Sequence, residues 1–174
     1  MNDRGYIHVY TGDGKGKTTA SLGLVLRALG RGWKVALAQF LKGRETGEVL
    51  ALEAFGERLL HRQFGEKDFF MPGSADRKRH REKSLEGLAW ASSLMDEGIR
   101  LLVLDEVVTA LDLGLVERGE LEEVLDRRPA EMELVLTGRG MPDWLYRKSD
   151  LVTEMRSRKH YYKKGVNARQ GIEF

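Results

Sequence analysis

Tyr6-Ile7-His8-Val9-Tyr10, followed directly by Thr11-Gly12-Asp13-Gly14-Lys15-Gly16-Lys17-Thr18-Thr19, is the stretch whose reading decides the fold. An apolar, β-branched run of strand length leads into a glycine loop. A segment of helical character then begins at Lys17. Strand, glycine loop, Lys-Thr and helix in that order is the setting of a phosphate-binding loop. Glycines let successive backbone N–H groups converge on phosphate oxygens, and the helix N-terminus adds the positive end of its dipole. Lys17 supplies a point charge, and the Thr18 hydroxyl is a hard oxygen of the type magnesium takes. The spacing departs from the usual pattern: three residues rather than four separate Gly12 from Gly16, and Thr11 stands where the first glycine is expected. A glycine turn that merely caps a helix is the bland alternative.

The helix after the loop, about Lys17 to Leu29, is apolar nearly all round, as a helix lying on a sheet should be, and stops at Gly30, with Gly32 beyond, which suits a glycine C-cap. Further short apolar runs predict strands at Val35–Phe40, Leu101–Leu104, Leu134–Thr137 and Leu151–Thr153, with a weaker one at Leu59–Phe64. A long helix is expected from about Ala75 to Glu97, its charged first half solvated and its second half packed through Leu85, Leu88, Ala91 and Met95. This alternation predicts an α/β chain with a mostly parallel central sheet of about six strands covered by helices. The chain has 174 residues, three prolines and no linker or repeat, so residues 1–174 read as one nucleotide-binding domain.

The composition excludes several chemistries. There is no cysteine, which removes disulfides, thiolate metal sites and a cysteine nucleophile. The four histidines show no metal-ligand spacing. The 29 basic and 27 acidic residues nearly cancel, so neither nucleic acid nor a membrane surface is favoured as a partner. No apolar run approaches the ~20 residues that span a bilayer, and the start lacks a signal-peptide core, so a cytoplasmic protein is expected.

Leu101-Leu102-Val103-Leu104 ends in Asp105-Glu106, two carboxylates at the end of a strand where open α/β sheets place their ligands. One of them should complete a magnesium shell, the alternative being an acidic helix start that caps free amides. Thr137-Gly138-Arg139-Gly140 ends another strand. Arg139 there either neutralises phosphate or is a surface arginine on a tight turn. Arg27 lies inside the first helix, where a nucleotide contact and a structural ion pair are equally good readings.

Taken together, Gly12 to Ala20, Ala38-Gln39-Phe40-Leu41-Lys42-Gly43, Val103-Leu104-Asp105-Glu106, Thr137-Gly138-Arg139-Gly140 and the tail Ala168-Arg169-Gln170-Gly171-Ile172-Glu173-Phe174 resemble the ATP:corrinoid adenosyltransferases of the cobalamin pathway. The resemblance runs in order along nearly the whole chain. It implies a three-layer fold of the P-loop NTPase kind, usually homodimeric, with ATP reversed in the loop so that cobalt(I) of a corrinoid attacks the ribose 5′-carbon and displaces triphosphate. It assigns Gly12, Asp13, Gly14, Lys15, Gly16, Lys17, Thr18 and Thr19 to ATP, with Arg27 and Arg139 as further nucleotide contacts. Thr18 and Glu106 would bind Mg2+, and Lys17, Thr18 and Glu106 form the catalytic set. An electron-donating reductase is the implied source of cobalt(I).

Relatives of this kind place an aromatic wedge, commonly Gly-Phe-Thr-Trp, below the corrinoid ring. This chain has Lys67-Asp68-Phe69-Phe70-Met71-Pro72-Gly73 in that region, so Phe69 and Phe70 are the expected corrinoid contacts, with a piece of local core as the alternative. Many relatives also carry a helix before the first strand, whereas here the strand starts at about Gly5. The competing functions are another P-loop ATPase or kinase, with Glu106 activating water or a hydroxyl, and a nucleotide-switched binding protein. The basic runs Arg77–Arg81 and Arg156–Lys164 would suit nucleic acid, but acidic neighbours make a solvated face the simpler reading.

Overall fold

The computed structural model describes residues 4–66 and 76–173. Phe69 and Phe70, the expected corrinoid contacts, lie outside these residues. Six strands form one sheet: β1 (Ile7–Thr11), β2 (Val35–Phe40), β3 (Leu59–Phe64), β4 (Leu101–Asp105), β5 (Glu133–Thr137) and β6 (Leu151–Glu154). Their spatial order is β3-β2-β4-β5-β1-β6. Every pairing is parallel, so the sheet is fully parallel rather than mostly so.

Strand alternation divides the core into two. Ile7, Val9, Ala36, Ala38, Phe40, Leu102, Leu104, Leu134 and Leu136 point to one face. There they meet α3 (Arg77–Ser93), α4 (Val107–Asp112), α5 (Arg118–Arg127) and α6 (Asp143–Lys148). Val35, Leu37, Leu101, Val103 and Val135 point to the other, under α1 (Lys17–Gly30) and the end of the short α2 (Gly47–Leu52). A period of two that is apolar on both faces gives the run of buried residues along β2 and β4, as a parallel sheet covered on both sides demands.

Several sequence expectations need correction. Helix α1 is not apolar all round in effect: it buries Lys17, Ser21, Val25, Ala28 and Leu29, while Leu26 is 57% exposed. Its C-terminal glycine with positive φ is Gly32, at 78°, and Gly30 is still helical. Helix α3 ends at Ser93, and its charged half is not simply solvated. Arg77 donates to the carbonyls of Leu113 and Gly114, and Arg81 to Leu115 and to both Glu117 and Glu120, tying α3 to the turn before α5. The short helices α2, α4 and α6 and the ten-residue α5 carry too few periodic apolar positions to stand out in the sequence.

Gly87 shows how tightly α3 lies on the sheet. A Cβ there would come within 2.8 Å of the Phe40 ring and 3.1 Å of Phe64, and Phe40 is completely buried. Gly87→Ala should therefore lower stability. The ~1–3 kcal/mol cost of overpacking exceeds the gain in helix propensity of at most ~1 kcal/mol. The measurement is a shift of the urea midpoint to lower concentration at unchanged slope.

Candidate active site

Parallel strands all present their carboxyl ends on one edge of the sheet, and the loops after β1, β2, β4 and β5 meet there. The loop after β1 is pinned from the side. Gly14 N–H donates to the Met155 carbonyl at 2.7 Å, and Met155 N–H donates to the Thr11 carbonyl at 2.8 Å, so the chain leaving β6 runs along the glycine loop. A Cβ on Gly12 would lie 2.4 Å, and one on Gly14 2.6 Å, from that same Met155 carbonyl oxygen. Only glycine fits at either position, and Gly12 also has φ of 100°. Ser157 N–H donates to the Asp13 carboxylate at 3.2 Å and, as the leading cause, draws it below its ordinary range.

Lys17 is buried and turned back over its own loop, donating to the carbonyls of Gly12 at 2.7 Å and Gly14 at 2.9 Å. Burial pushes its ammonium below the usual lysine range, with Glu106 acting against that shift. These two bonds use two of the three ammonium donors and leave one free.

Next to the loop, Asp105 is fully buried at the end of β4. One carboxylate oxygen accepts from the Thr18 hydroxyl at 2.9 Å and the Thr137 hydroxyl at 2.7 Å. The other takes the Lys42 ammonium at 2.8 Å and the Gln39 amide at 3.4 Å. The network continues outward: Gln39 also donates to Glu48 at 3.2 Å, while its carbonyl oxygen meets His61 Nε2 at 2.9 Å and accepts from Gln63 at 3.2 Å. Burial pushes the His61 imidazole below its ordinary 6.5, and the neutral tautomer with a proton on Nε2 satisfies Gln39.

Glu106 stands beside Asp105 but faces the cleft. Its backbone is left-handed, φ 63°, and its side chain makes no capping bond to the helix that follows. The Glu106 carboxylate accepts from the Thr109 hydroxyl, which also receives the Arg139 N–H at 2.9 Å. The helix-capping alternative for Glu106 is thereby answered. Leu41, with φ 59°, is the other left-handed non-glycine among the described residues, at the end of neighbouring β2. Strained residues at the ends of adjacent strands aim Lys42 and Glu106 at the same space, an arrangement common where a site is built.

That space is a cleft of ≈ 680 Å³ lined by Asp13 to Thr19, Lys42, Glu48, Glu106, Arg139 and the tail residues Ile172 and Glu173. The sequence-assigned loop, Glu106 and Arg139 are thus brought together. Arg27 is not: it is exposed near the end of α1, ten residues and so ~15 Å along the helix axis from Lys17, beside Tyr10. Gln39, Lys42, Glu48, Thr109 and Thr137 were not singled out individually. Their signal was present: a glutamine in an otherwise apolar strand, and a lysine two residues beyond the strand end.

Fold and cleft define an α/β protein with a parallel six-stranded sheet, of the P-loop NTPase-like kind, whose glycine loop and Glu106 line one cleft. The family model for ATP:corrinoid adenosyltransferase BtuR/CobO/CobP matches residues 3–174. A corrinoid adenosyltransferase of Pseudomonas aeruginosa is 38% identical over 177 residues, covering 99% of this chain and 85% of that protein. Those of Sinorhizobium sp. and Escherichia coli K12 are 34% and 33% identical, covering 99% and 100% of this chain and 82% and 88% of theirs. The chain belongs to the ATP:corrinoid adenosyltransferase family.

Removing Lys42 leaves the buried Asp105 charge without its cation. Lys42→Met is expected to cost about 2–3 kcal/mol, below the ~3–5 kcal/mol of a fully buried pair because Lys42 keeps a quarter of its side chain exposed. Asp105→Asn in the same chain should recover part of that loss, measured by urea unfolding of both singles and the double. The His61 shift has its own signature. The folded pKa is depressed, so the unfolded chain binds the proton first. Its contribution is complete above about pH 6.5 and is lost as pH falls below it. His61→Gln should flatten the decline of stability between about pH 7 and about pH 5.

Proposed function

We infer that this protein transfers the 5′-deoxyadenosyl group of ATP to the cobalt(I) of a corrinoid. The observation that carries the reading is the phosphate loop facing Glu106 across one cleft, on a chain of this family from end to end. Backbone N–H groups of residues 12–19 and the Lys17 ammonium hold the triphosphate. Arg139, at the rim, adds positive charge.

Mg2+ is the ion this oxygen set suits. It binds through one or two carboxylates and substrate phosphates rather than an all-protein cage. Among the described residues no group of three or more His, Cys, Asp or Glu forms such a cage. The Thr18 hydroxyl and the Glu106 carboxylate would hold it, and it would supply charge to the triphosphate. Asp105 acts behind them, orienting Thr18.

Cobalt(I) brings the electron pair to the ribose 5′-carbon. The cobalt–carbon bond forms as the bond from that carbon to oxygen breaks, and triphosphate leaves with the bonding pair. A nucleophile of this strength needs no general base, which fits a cleft that offers positioning and cations. The reading brings with it a reductase that supplies the electron, Phe69 and Phe70 as corrinoid contacts, and a homodimer. Leu26 and Leu50, 57% and 51% exposed on helices of one face, are apolar surface for such a partner. Among the described residues no helix is long and apolar enough to cross a membrane, in keeping with a cytoplasmic enzyme.

The test is anaerobic incubation with ATP, Mg2+ and chemically reduced cob(I)alamin in the dark, following the visible spectrum and the released phosphate species. Adenosylcobalamin and triphosphate should appear in equal amounts. Glu106→Gln should slow the reaction by about 10²–10³-fold, and Lys17→Ala by at least as much. ADP or orthophosphate as the product with the corrinoid unchanged would point instead to a P-loop ATPase or kinase.

A further inference from the structure

Lys15 and Lys17 stand two residues apart in the same loop, and the structure uses them differently. Lys17 bonds two carbonyls of the loop and retains a donor for a ligand. Lys15 points outward to the C-terminal tail. Its ammonium has three N–H donors. They meet the Glu173 carboxylate at 2.7 Å, the Ile172 carbonyl at 2.9 Å and the Tyr161 hydroxyl oxygen at 3.4 Å. No donor is left over for phosphate.

The carboxylate at the centre is itself fully engaged. The Tyr161 hydroxyl donates to the same oxygen of Glu173 that receives Lys15. The other oxygen accepts the Arg169 backbone N–H at 2.7 Å, with the Arg169 guanidinium at 3.4 Å and stacked 4.9 Å above the Tyr161 ring. The bond from Lys15, then that from Tyr161, holds the Glu173 carboxyl far below the usual carboxylate range, so it is ionised throughout the neutral range. The tail turns at Gly171, φ 76°, and brings Ile172, with 57% of its surface exposed, to the wall of the cleft.

We propose that Lys15 and Glu173 form a clasp that makes the C-terminal tail a fixed wall of the nucleotide cleft, and that the Lys15 side chain is committed to this clasp rather than to phosphate. Glu173 is then a positioning residue: it acts through Lys15 and the tail backbone, and it leaves Lys17 as the loop's phosphate cation. The clasp stands on its own geometry, while its consequence for ATP rests on the reading of the cleft given above.

Hydrogen exchange of the tail amides and ATP kinetics test it together. In the ligand-free protein, Lys15→Met and Glu173→Gln should each speed exchange of residues 169–173 by about three- to tenfold, Tyr161→Phe by less, and the double variant by no more than either single. Saturating inorganic triphosphate should leave wild-type tail protection undiminished. With ATP, both single variants should raise KM several-fold with a smaller change in kcat, and the double should match them. Additive effects in the double, or unchanged exchange in the singles, would overturn the clasp. Tail release by triphosphate to the level of Lys15→Met would show Lys15 moving to phosphate, which also overturns it. If triphosphate fails to bind at all, the reading of the cleft fails, while the exchange data on the ligand-free protein still decide the clasp.

Discussion

The buried charge of Asp105 is the constraint around which this edge of the sheet is organised. A carboxylate without exposed surface must be matched by donors, and the four it has come from α1, β2, the turn after β2, and β5. Its demand for partners fixes the height of Thr18 relative to the strand ends, and with it the start of α1 and the plane of the glycine loop. A magnesium ion would take a lone pair of the Thr18 hydroxyl, whose O–H would go on donating to Asp105. The network is therefore a scaffold that orients Thr18 with its lone pairs free.

Division of labour between the paired acids follows from one backbone feature. In an extended strand, Asp105 and Glu106 point to opposite faces. The left-handed turn at Glu106 breaks the strand so that Asp105 stays beneath the loop while Glu106 emerges into the cleft. The same device at Leu41 returns Lys42 over the strand ends. Each such residue costs of order 1–3 kcal/mol in backbone strain, offset here by burial of the strands and by the hydrogen bonds the turns allow.

Much of this was legible in the sequence because the signals were local. Strand β1, the glycine loop and the start of α1 are contiguous, and β2 and β4 announce themselves as runs that are apolar but for Gln39 and the terminal Asp105. The loop, Glu106 and Arg139 were found the same way. What escaped depends on contacts across the fold. Lys42 reads as a surface lysine until β4 is placed beside β2, and Arg77 and Arg81 read as a solvated run until the carbonyls before α5 are in view. The basic stretch after β6 reads as a solvated face, yet its Tyr161 lies against Lys15. Periodicity carries no information about such pairings. Short helices such as α4 and α6 are also below the length at which a period of 3.6 can be distinguished from chance.

The contact between Gly14 and the Met155 carbonyl joins the loop after β1 to the segment after β6, far apart in sequence. The edge strand β6 docks on β1, so the last strand in sequence completes the surroundings of the first loop. A growing polypeptide displays its glycine loop well before it has made the backbone at Met155 that holds the loop. A nascent or truncated chain can have most of the sheet in place and still lack the backbone that pins the glycine loop. The long sequence separation of this closing contact also makes it entropically costly to form.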